Sequence, residues 1–271
     1  MLLDEKVIMV TGSTTGIGEA IARRCVQEGA RVLVHGRDDD RGHAVAADLA
    51  GAAVFHLDDL SDPDAPPRVV QAALSAFGRI DGLVNNAAWV VRSDLASTDV
   101  ALFDRAIAVN LRAPLMLIRA AAEYLKKTRG CVVNIGSVNG YSGEGRQLAY
   151  SISKGGMTTM TRNLADALAP DGVRVVQLTV GWVLTPNEYR LKVAEGLPAD
   201  WSDVPPLEMV PTGRMTRPED VARVVVFWLS DESRPFSGGV FEIEQYPWLG
   251  RHPKIPGEEA PDDQTQPPKQ T

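Results

Sequence analysis

The sequence predicts an α/β protein, a doubly wound parallel β-sheet flanked by helices in a single domain, and three observations carry that expectation. Apolar runs of strand length alternate with helix-length amphipathic segments along nearly all of the 271 residues. The first run, Val7-Ile-Met-Val10, opens directly into the glycine-rich turn Thr11-Gly12-Ser-Thr-Thr-Gly16-Ile17-Gly18 and then a helical run, Glu19 to Glu28. A later run, Cys131-Val-Val-Asn-Ile-Gly-Ser137, is apolar at almost every position, as expected of a strand buried on both faces of a parallel sheet. A hydrophobic content of 44% suffices for one core, so a principal domain is expected over residues 1–256.

The elements follow in order. Val7 to Val10 places a strand at 6–10, and the glycine turn delivers a helix at 17–28. Arg31-Val-Leu-Val-His35 reads as a strand at 31–35, followed by a helix at 40–50, and the apolar stretch Ala52 to Leu57 gives a strand at 53–57. A helix at 66–77 leads into Leu83-Val-Asn85-Asn86-Ala87, a strand at 82–86 with its polar end. A long helix is expected at 99–127, a strand at 131–136, and a helix at 150–169 from the spacing of Met157, Met160, Leu164 and Leu168. A strand at 173–179, a helix at 218–230 and a strand at 239–244 complete the series. The segment 184–216 is too long for an ordinary connection of about 2–6 residues and reads as a lid. Residues 257–271, rich in Pro, Gln, Asp and Glu without apolar periodicity, read as a disordered tail.

Composition narrows the possible roles. A formal net charge of −7 argues against a general affinity for nucleic acid or anionic membranes. No apolar run reaches about 18 residues and the N-terminus has no leader pattern, so neither membrane insertion nor secretion is expected and cytoplasm is the expected location. Cys25 and Cys131 have neither pairing nor metal spacing and read as inert core thiols. His35, His43, His56 and His252 lack ligand spacing, so no metal is expected.

The chemistry-bearing residues converge late in the chain. Tyr150 and Lys154 are four apart at the start of a helical pattern, which puts phenol and ammonium on one face. A neighbouring ammonium favours phenolate, so the tyrosine pKa is expected to fall from about 10 toward a value useful for proton transfer. Ser137 ends its strand at the carboxyl edge of the sheet, where its hydroxyl can hold a carbonyl or an alcohol. The glycine turn suits a pyrophosphate: glycines allow tight dihedrals and close backbone approach, and the helix behind presents free N–H groups.

Taken together, Thr11-Gly12-x-x-x-Gly16-x-Gly18, Asn85-Asn86-Ala87, Asn110, Ser137, Tyr150-x-x-x-Lys154 and Gly181 resemble the pattern of the classical short-chain dehydrogenase/reductase family over roughly residues 4 to 245. The resemblance implies a Rossmann-type fold, a nicotinamide cofactor and reversible hydride transfer between an alcohol and a carbonyl. It implies Tyr150 as general acid or base, Ser137 as the substrate-orienting hydroxyl, and Lys154 as the residue holding the nicotinamide ribose and tuning Tyr150, with Asn110 anchoring a water relay behind Lys154. Cofactor contacts are then expected at Gly12, Thr14, Gly16, Ile17 and Gly18, at Asp59 and Leu60 near the adenine, at Asn86 and Ala87, and at Gly181, Val183 and Thr185. The chain departs from the family pattern at Ala88, at Val180 in place of a proline, and over Glu244 to Trp248, a candidate substrate or subunit contact.

After the second strand comes Gly36-Arg37 instead of an acidic residue. A carboxylate that would grip a ribose 2′-hydroxyl is missing, and the Arg37 guanidinium can pair with a 2′-phosphate, so NADP(H) is favoured and NAD(H) remains possible. The substrate is expected to be a small-molecule carbonyl or alcohol meeting Ser137, Asn139, Gln147, Tyr150 and Trp182. Trp89, Trp182, Tyr189, Leu191, Leu197, Trp201 and Met209 could wall its pocket, or the lid aromatics could simply pack the lid down. Asn139, Glu144, Arg146 and Gln147 add polar groups, compatible with a sugar or polyol beside a lipid, steroid or acyl-type ketone. A homo-oligomer, tetramer or dimer, is implied by the resemblance, and Ala, Leu and Met on several faces of Ala113 to Ala122 are compatible with it. The competing function is a catalytically idle nucleotide sensor or scaffold on the same fold, against which the intact Ser137, Tyr150 and Lys154 argue.

Overall fold

Strand order decides where a site can form. The computed structural model describes residues 1–207 and 210–245. In it, seven strands form one parallel sheet in the order β3-β2-β1-β4-β5-β6-β7: β1 (Val7–Val10), β2 (Arg31–Gly36), β3 (Ala53–Leu57), β4 (Gly82–Asn85), β5 (Cys131–Ser137), β6 (Arg174–Val180) and β7 (Val240–Ile243). The chain winds outward from β1 to β3 on one side, then returns to place β4 on the other side of β1. The topological switch point therefore lies between β1 and β4, where ligands of doubly wound sheets bind at the carboxyl ends of the strands.

Two apolar layers hold the helices on the sheet. On one face Ile8, Val10, Val34, Val84 and Val133 pack against α1 (Gly16–Gln27) and α9 (Pro218–Leu229). On the other, Met9, Leu33, Leu83 and Val132 pack against α3 (Ala65–Phe77), α5 (Ala113–Thr128) and α7 (Leu148–Leu168). α2 (Asp39–Asp48) starts at Asp38, whose carboxylate accepts from the Arg41 N–H at 3.1 Å. Cys25 and Cys131 lie in this interior, where burial pushes their thiols up to about 12 and 11.

The expected elements are present with ends shifted by one or two residues, and three places differ. The helix expected at 99–127 is interrupted: α4 (Val100–Ile107) runs into a π-helical turn, Ala108–Arg112, before α5 begins at Ala113 and Pro114. Pro114 has no N–H to donate into a regular helix, and Asn110, buried within the wide turn, turns its amide to other elements. The lid is not a plain loop. It contains α8 (Pro186–Ala194), capped by the Thr185 hydroxyl, which accepts from the Glu188 N–H at 3.1 Å. A four-residue helix, α6 (Asn139–Ser142), sits in the loop after β5. Met209, the Tyr246-Pro247-Trp248 segment and the 257–271 tail lie outside the described residues.

A buried polar chain sets the register between the sheet and α7. Asn85 Nδ2 donates to Asn134 Oδ1 at 2.8 Å, Asn134 Nδ2 donates to Thr161 Oγ1 at 2.9 Å, and Thr161 Oγ1 donates to the Met157 carbonyl at 2.9 Å. β4, β5 and α7 are thereby locked together, which fixes the α7 residues Tyr150 and Lys154 relative to Ser137 at the end of β5. No helix among the described residues is long and apolar enough to cross a membrane.

Candidate active site

At the switch point a cleft of about 1070 Å³ runs from the end of β2 to the rim of α8. Its floor is the glycine turn. Gly12 and Gly16 have φ of 63° and 59°, and a Cβ on Gly12 would come within 2.8 Å of the Ala87 backbone. Gly18 is equally constrained, because a Cβ there would collide with the Gly12 carbonyl and the Asn86 amide. Thr15, the residue before α1, makes no side-chain cap, so the first N–H groups of the helix stay open toward the cleft. Asn86 braces the turn by donating to the Thr11 and Gly12 carbonyls at 2.9 and 3.0 Å, while Thr11 Oγ1 accepts from the N–H groups of Asn86 and Ala87. A side-chain-free cradle at an uncapped helix N-terminus fits a dinucleotide pyrophosphate.

The β2 end of the cleft carries the adenosine-side candidates. Arg37 lines it, half-exposed, with Nη1 3.4 Å from Asp59 Oδ2. Leu60 is buried beside Asp59 in the lining. His35 also lies here, assigned no role from the sequence. Its Nδ1 accepts from the Gly12 N–H at 3.4 Å and its Nε2 has no hydrogen-bond partner among the described residues. Burial lowers its pKa to about 4, so the ring is neutral near pH 7, the form in which Nδ1 can accept. A histidine ending an otherwise apolar strand beside the glycine turn was the available signal.

Ser137, Tyr150 and Lys154 line the opposite end together, with Gly181, Thr185 and Glu188. The three come from β5 and α7, and all are buried. Lys154 Nζ donates to the Ile135 carbonyl at 2.7 Å and lies 5.8 Å from the Tyr150 ring centre. Burial brings Lys154 down to about 8. Tyr150 moves up from the usual phenol value, contrary to the expected fall. Burial dominates, the hydrogen bond with Ser137 opposes it, and the negative charge of Glu188 adds to it.

Thr14, Ile17 and Ala87 complete the predicted residues that line the cleft; Asn110, Asn139, Gln147, Trp182 and Val183 do not. Asn110 stands behind the wall: Oδ1 accepts from the Trp89 N–H at 2.7 Å, and Nδ2 donates to the Trp89 carbonyl at 3.1 Å and to Ser153 Oγ at 3.0 Å. It ties the segment after β4 to α7. Asn139 Nδ2 donates to Gln147 Oε1 at 3.2 Å. Val183 is buried, bridging to Thr216. Trp182 stacks on Trp201, ring centres 5.3 Å apart and nearly parallel, with Tyr189 behind, so these aromatics pack the lid. Arg105, unremarked in the sequence, lines the cleft and covers the Trp89 ring at 4.7 Å.

This fold and this arrangement of groups define a class of nicotinamide-dependent oxidoreductases, and the comparisons with known proteins agree. The family model described as Enoyl-(Acyl carrier protein) reductase matches residues 12–245. The chain is 32% identical over 257 residues to L-rhamnose 1-dehydrogenase (NAD(P)(+)) of Azotobacter vinelandii, covering 90% of this chain and 97% of that one. It is 34% identical over 236 residues to L-fucose dehydrogenase of Mus musculus, covering 83% and 82% of the two chains. Among solved structures, 3-ketoacyl-(acyl-carrier-protein) reductase from Brucella melitensis complexed with NADH superposes with a TM-score of 0.77 at 28% identity, covering 89% of this chain and 97% of that one. The chain belongs to the short-chain dehydrogenase/reductase family and is an oxidoreductase of that family.

Proposed function

We propose that this protein transfers hydride reversibly between a nicotinamide cofactor and a carbonyl or secondary alcohol of a small molecule, with Tyr150 as general acid and base. The convergence of Ser137, Tyr150 and Lys154 at one end of the cleft that carries the glycine turn at its other end supports this reading. When bound, the cofactor supplies or accepts the hydride. Gly12, Thr14, Gly16, Ile17 and Gly18 would hold its pyrophosphate; Asp59, Leu60, Asn86 and Ala87 would hold its adenosine; Lys154, Gly181 and Thr185 would hold its nicotinamide half.

Ser137 and Tyr150 grip the substrate oxygen from two sides. In carbonyl reduction Tyr150 gives its proton to that oxygen as the alcohol forms. Its raised pKa keeps the phenol protonated until then. Below about pH 8 Lys154 remains an ammonium, and its charge stabilises the phenolate left behind. In the oxidation direction the phenolate takes the hydroxyl proton. Asn110 positions this machinery by holding α7 against the Trp89 segment. NADP(H) is preferred through Arg37, and the protein works as a homo-oligomer in the cytoplasm.

The test is a carbonyl screen with NADPH and NADH on wild type and Tyr150→Phe. Losing the acid should lower turnover by about 10²–10⁴-fold while quenching of tryptophan fluorescence by the cofactor is kept. Near wild-type turnover in the folded variant would refute the assignment.

A further inference from the structure

The lid brings a carboxylate to the reacting end of the cleft. Thr185-Pro-Asn-Glu188 has the spacing of a capping box, in which the glutamate would reach back to the N–H of the cap residue. Here that N–H is already spent, because Thr185 N donates to the Val183 carbonyl at 2.9 Å. The Glu188 side chain lines the cleft instead. Its Oε1 accepts from Trp182 Nε1 at 2.8 Å, and the Trp182 ring is held in turn by stacking on Trp201. Its Oε2 receives no hydrogen bond among the described residues. The nearest cation, Lys192, is 4.0 Å from Oε1 but lies closer to Glu195, at 2.8 Å. Glu188 is thus oriented on one oxygen, open on the other and only partly compensated.

Among the described residues three acids line the cleft, and the other two are committed elsewhere. Asp38 caps α2, and Asp59 faces Arg37. Asn139 and Gln147 lie outside the lining, Asn139 Nδ2 donating to Gln147 Oε1. Glu188 is the acid at the Tyr150 end, near enough for its charge to act on the phenol. A carboxylate oxygen accepts hydrogen bonds and repels anions. A plain hydrocarbon neighbour would leave it without a partner, at the cost of its lost hydration.

We infer that Glu188 determines specificity by accepting a hydrogen bond from a second hydroxyl of the substrate, next to the carbon being oxidised or reduced. The substrate class is then a vicinal diol, polyol or hydroxy-ketone. This inference rests on the oxidoreductase reading above.

The probe is a matched pair, cyclohexane-1,2-diol and cyclohexanol, oxidised with NADP⁺ and NAD⁺ by wild type, Glu188→Gln and Glu188→Ala. Hydrogen bonds to charged groups are worth enough that wild type should prefer the diol in kcat/KM by about tenfold or more. The preference should fall at least about tenfold in Glu188→Ala and by an intermediate factor in Glu188→Gln. Titrating the diol into protein saturated with reduced cofactor, read by tryptophan fluorescence, should show the same order of affinities. A purely structural role for Glu188 would weaken both alcohols alike and leave the ratio intact. A wild-type ratio near one, or a ratio kept in both variants, would overturn the inference while Tyr150-dependent turnover still supported the parent reading. If wild type oxidised neither alcohol and reduced neither corresponding ketone with either cofactor, this inference would fail, whereas the parent reading stands or falls on the carbonyl screen with Tyr150→Phe.

Discussion

Replacing Arg37 by Gln tests cofactor choice where the structure gives most of the terms. Arg37 is half-exposed and already faces Asp59 at 3.4 Å, so a 2′-phosphate must compete with a carboxylate that is in place. Charge-assisted hydrogen bonds from the guanidinium to the phosphate are worth about 1.5–3 kcal/mol. Against this stands the exposed ion pair given up, about 0.2–1 kcal/mol, in a setting where solvent screens both. The difference is about 2 kcal/mol, or roughly 30-fold in Kd.

Arg37→Gln should therefore weaken NADPH by roughly 30-fold and NADH by less than about threefold. Fluorescence titration of both cofactors reads the two constants at fixed salt, and their ratio cancels every contact that the two cofactors share, Asp59 with the adenine included. The effect should shrink as salt rises and as pH falls below about 6, where a phosphate monoester dianion takes up a proton and becomes a monoanion. An unchanged NADPH-to-NADH ratio in a folded variant would show that Arg37 merely answers Asp59.

The other predictions concern what the site costs the fold. Burial holds Lys154 at about 8, below its ordinary value of 10.5, so the unfolded chain binds the extra proton between those pH values and wild-type stability should rise from about pH 8 to 10.5. Lys154→Met should thus be more stable than wild type at pH 7 by about 1–3 kcal/mol in urea unfolding, with the gap closing by pH 10.5; equal stabilities at pH 7 would contradict this. His35, lowered to about 4 from 6.5, contributes stability that is complete above about pH 6.5 and lost as pH falls toward 4, by up to about 3 kcal/mol. His35→Leu should flatten that acid limb in thermal melts across pH, and a limb of unchanged slope would rule His35 out as its source. Gly18→Ala must push the Gly12 carbonyl or the Asn86 amide aside, and should cost more than about 2 kcal/mol by urea unfolding and abolish cofactor quenching; a variant that binds normally would mean that the turn yields.

Legibility in the sequence followed the kind of force involved. The strands were readable because burial on both faces leaves runs such as Cys131 to Ser137 almost wholly apolar, and the first turn because its glycines have no conformational substitute. The interruption at Asn110 was not readable, since Ala, Leu and Met continue a helical pattern through it. What breaks the helix is a tertiary demand, an amide shared between Trp89 and Ser153. α8 is readable in principle from Thr185-Pro-Asn-Glu188, a cap, a proline in the first turn and an acid at the third position, but no buried residue and hence no apolar stripe marks the helix that follows. The Tyr150 shift went the other way from expectation because spacing reports which groups are neighbours, whereas desolvation depends on everything else packed around them.

That last point reaches into the mechanism. Tyr150 is pushed up and Lys154 down, and in both cases burial is the largest cause. In each case the protein makes the charged form of the group harder to reach. Proton transfer needs those charged forms, phenolate on Tyr150 and ammonium on Lys154. The hydrogen bond from Lys154 to the Ile135 carbonyl holds the amine in place but supplies no negative charge. Glu188, the acid at this end, favours the protonated phenol and so works against phenolate. A substrate hydroxyl donating to Glu188 would disperse part of that negative charge and ease the tyrosine toward phenolate. Recognition of the second hydroxyl and readiness of the base would then be linked through one carboxylate. The linkage predicts that the ascending limb of the kcat/KM profile for alcohol oxidation shifts to lower pH in Glu188→Gln, and a limb that stays in place would separate recognition from proton transfer.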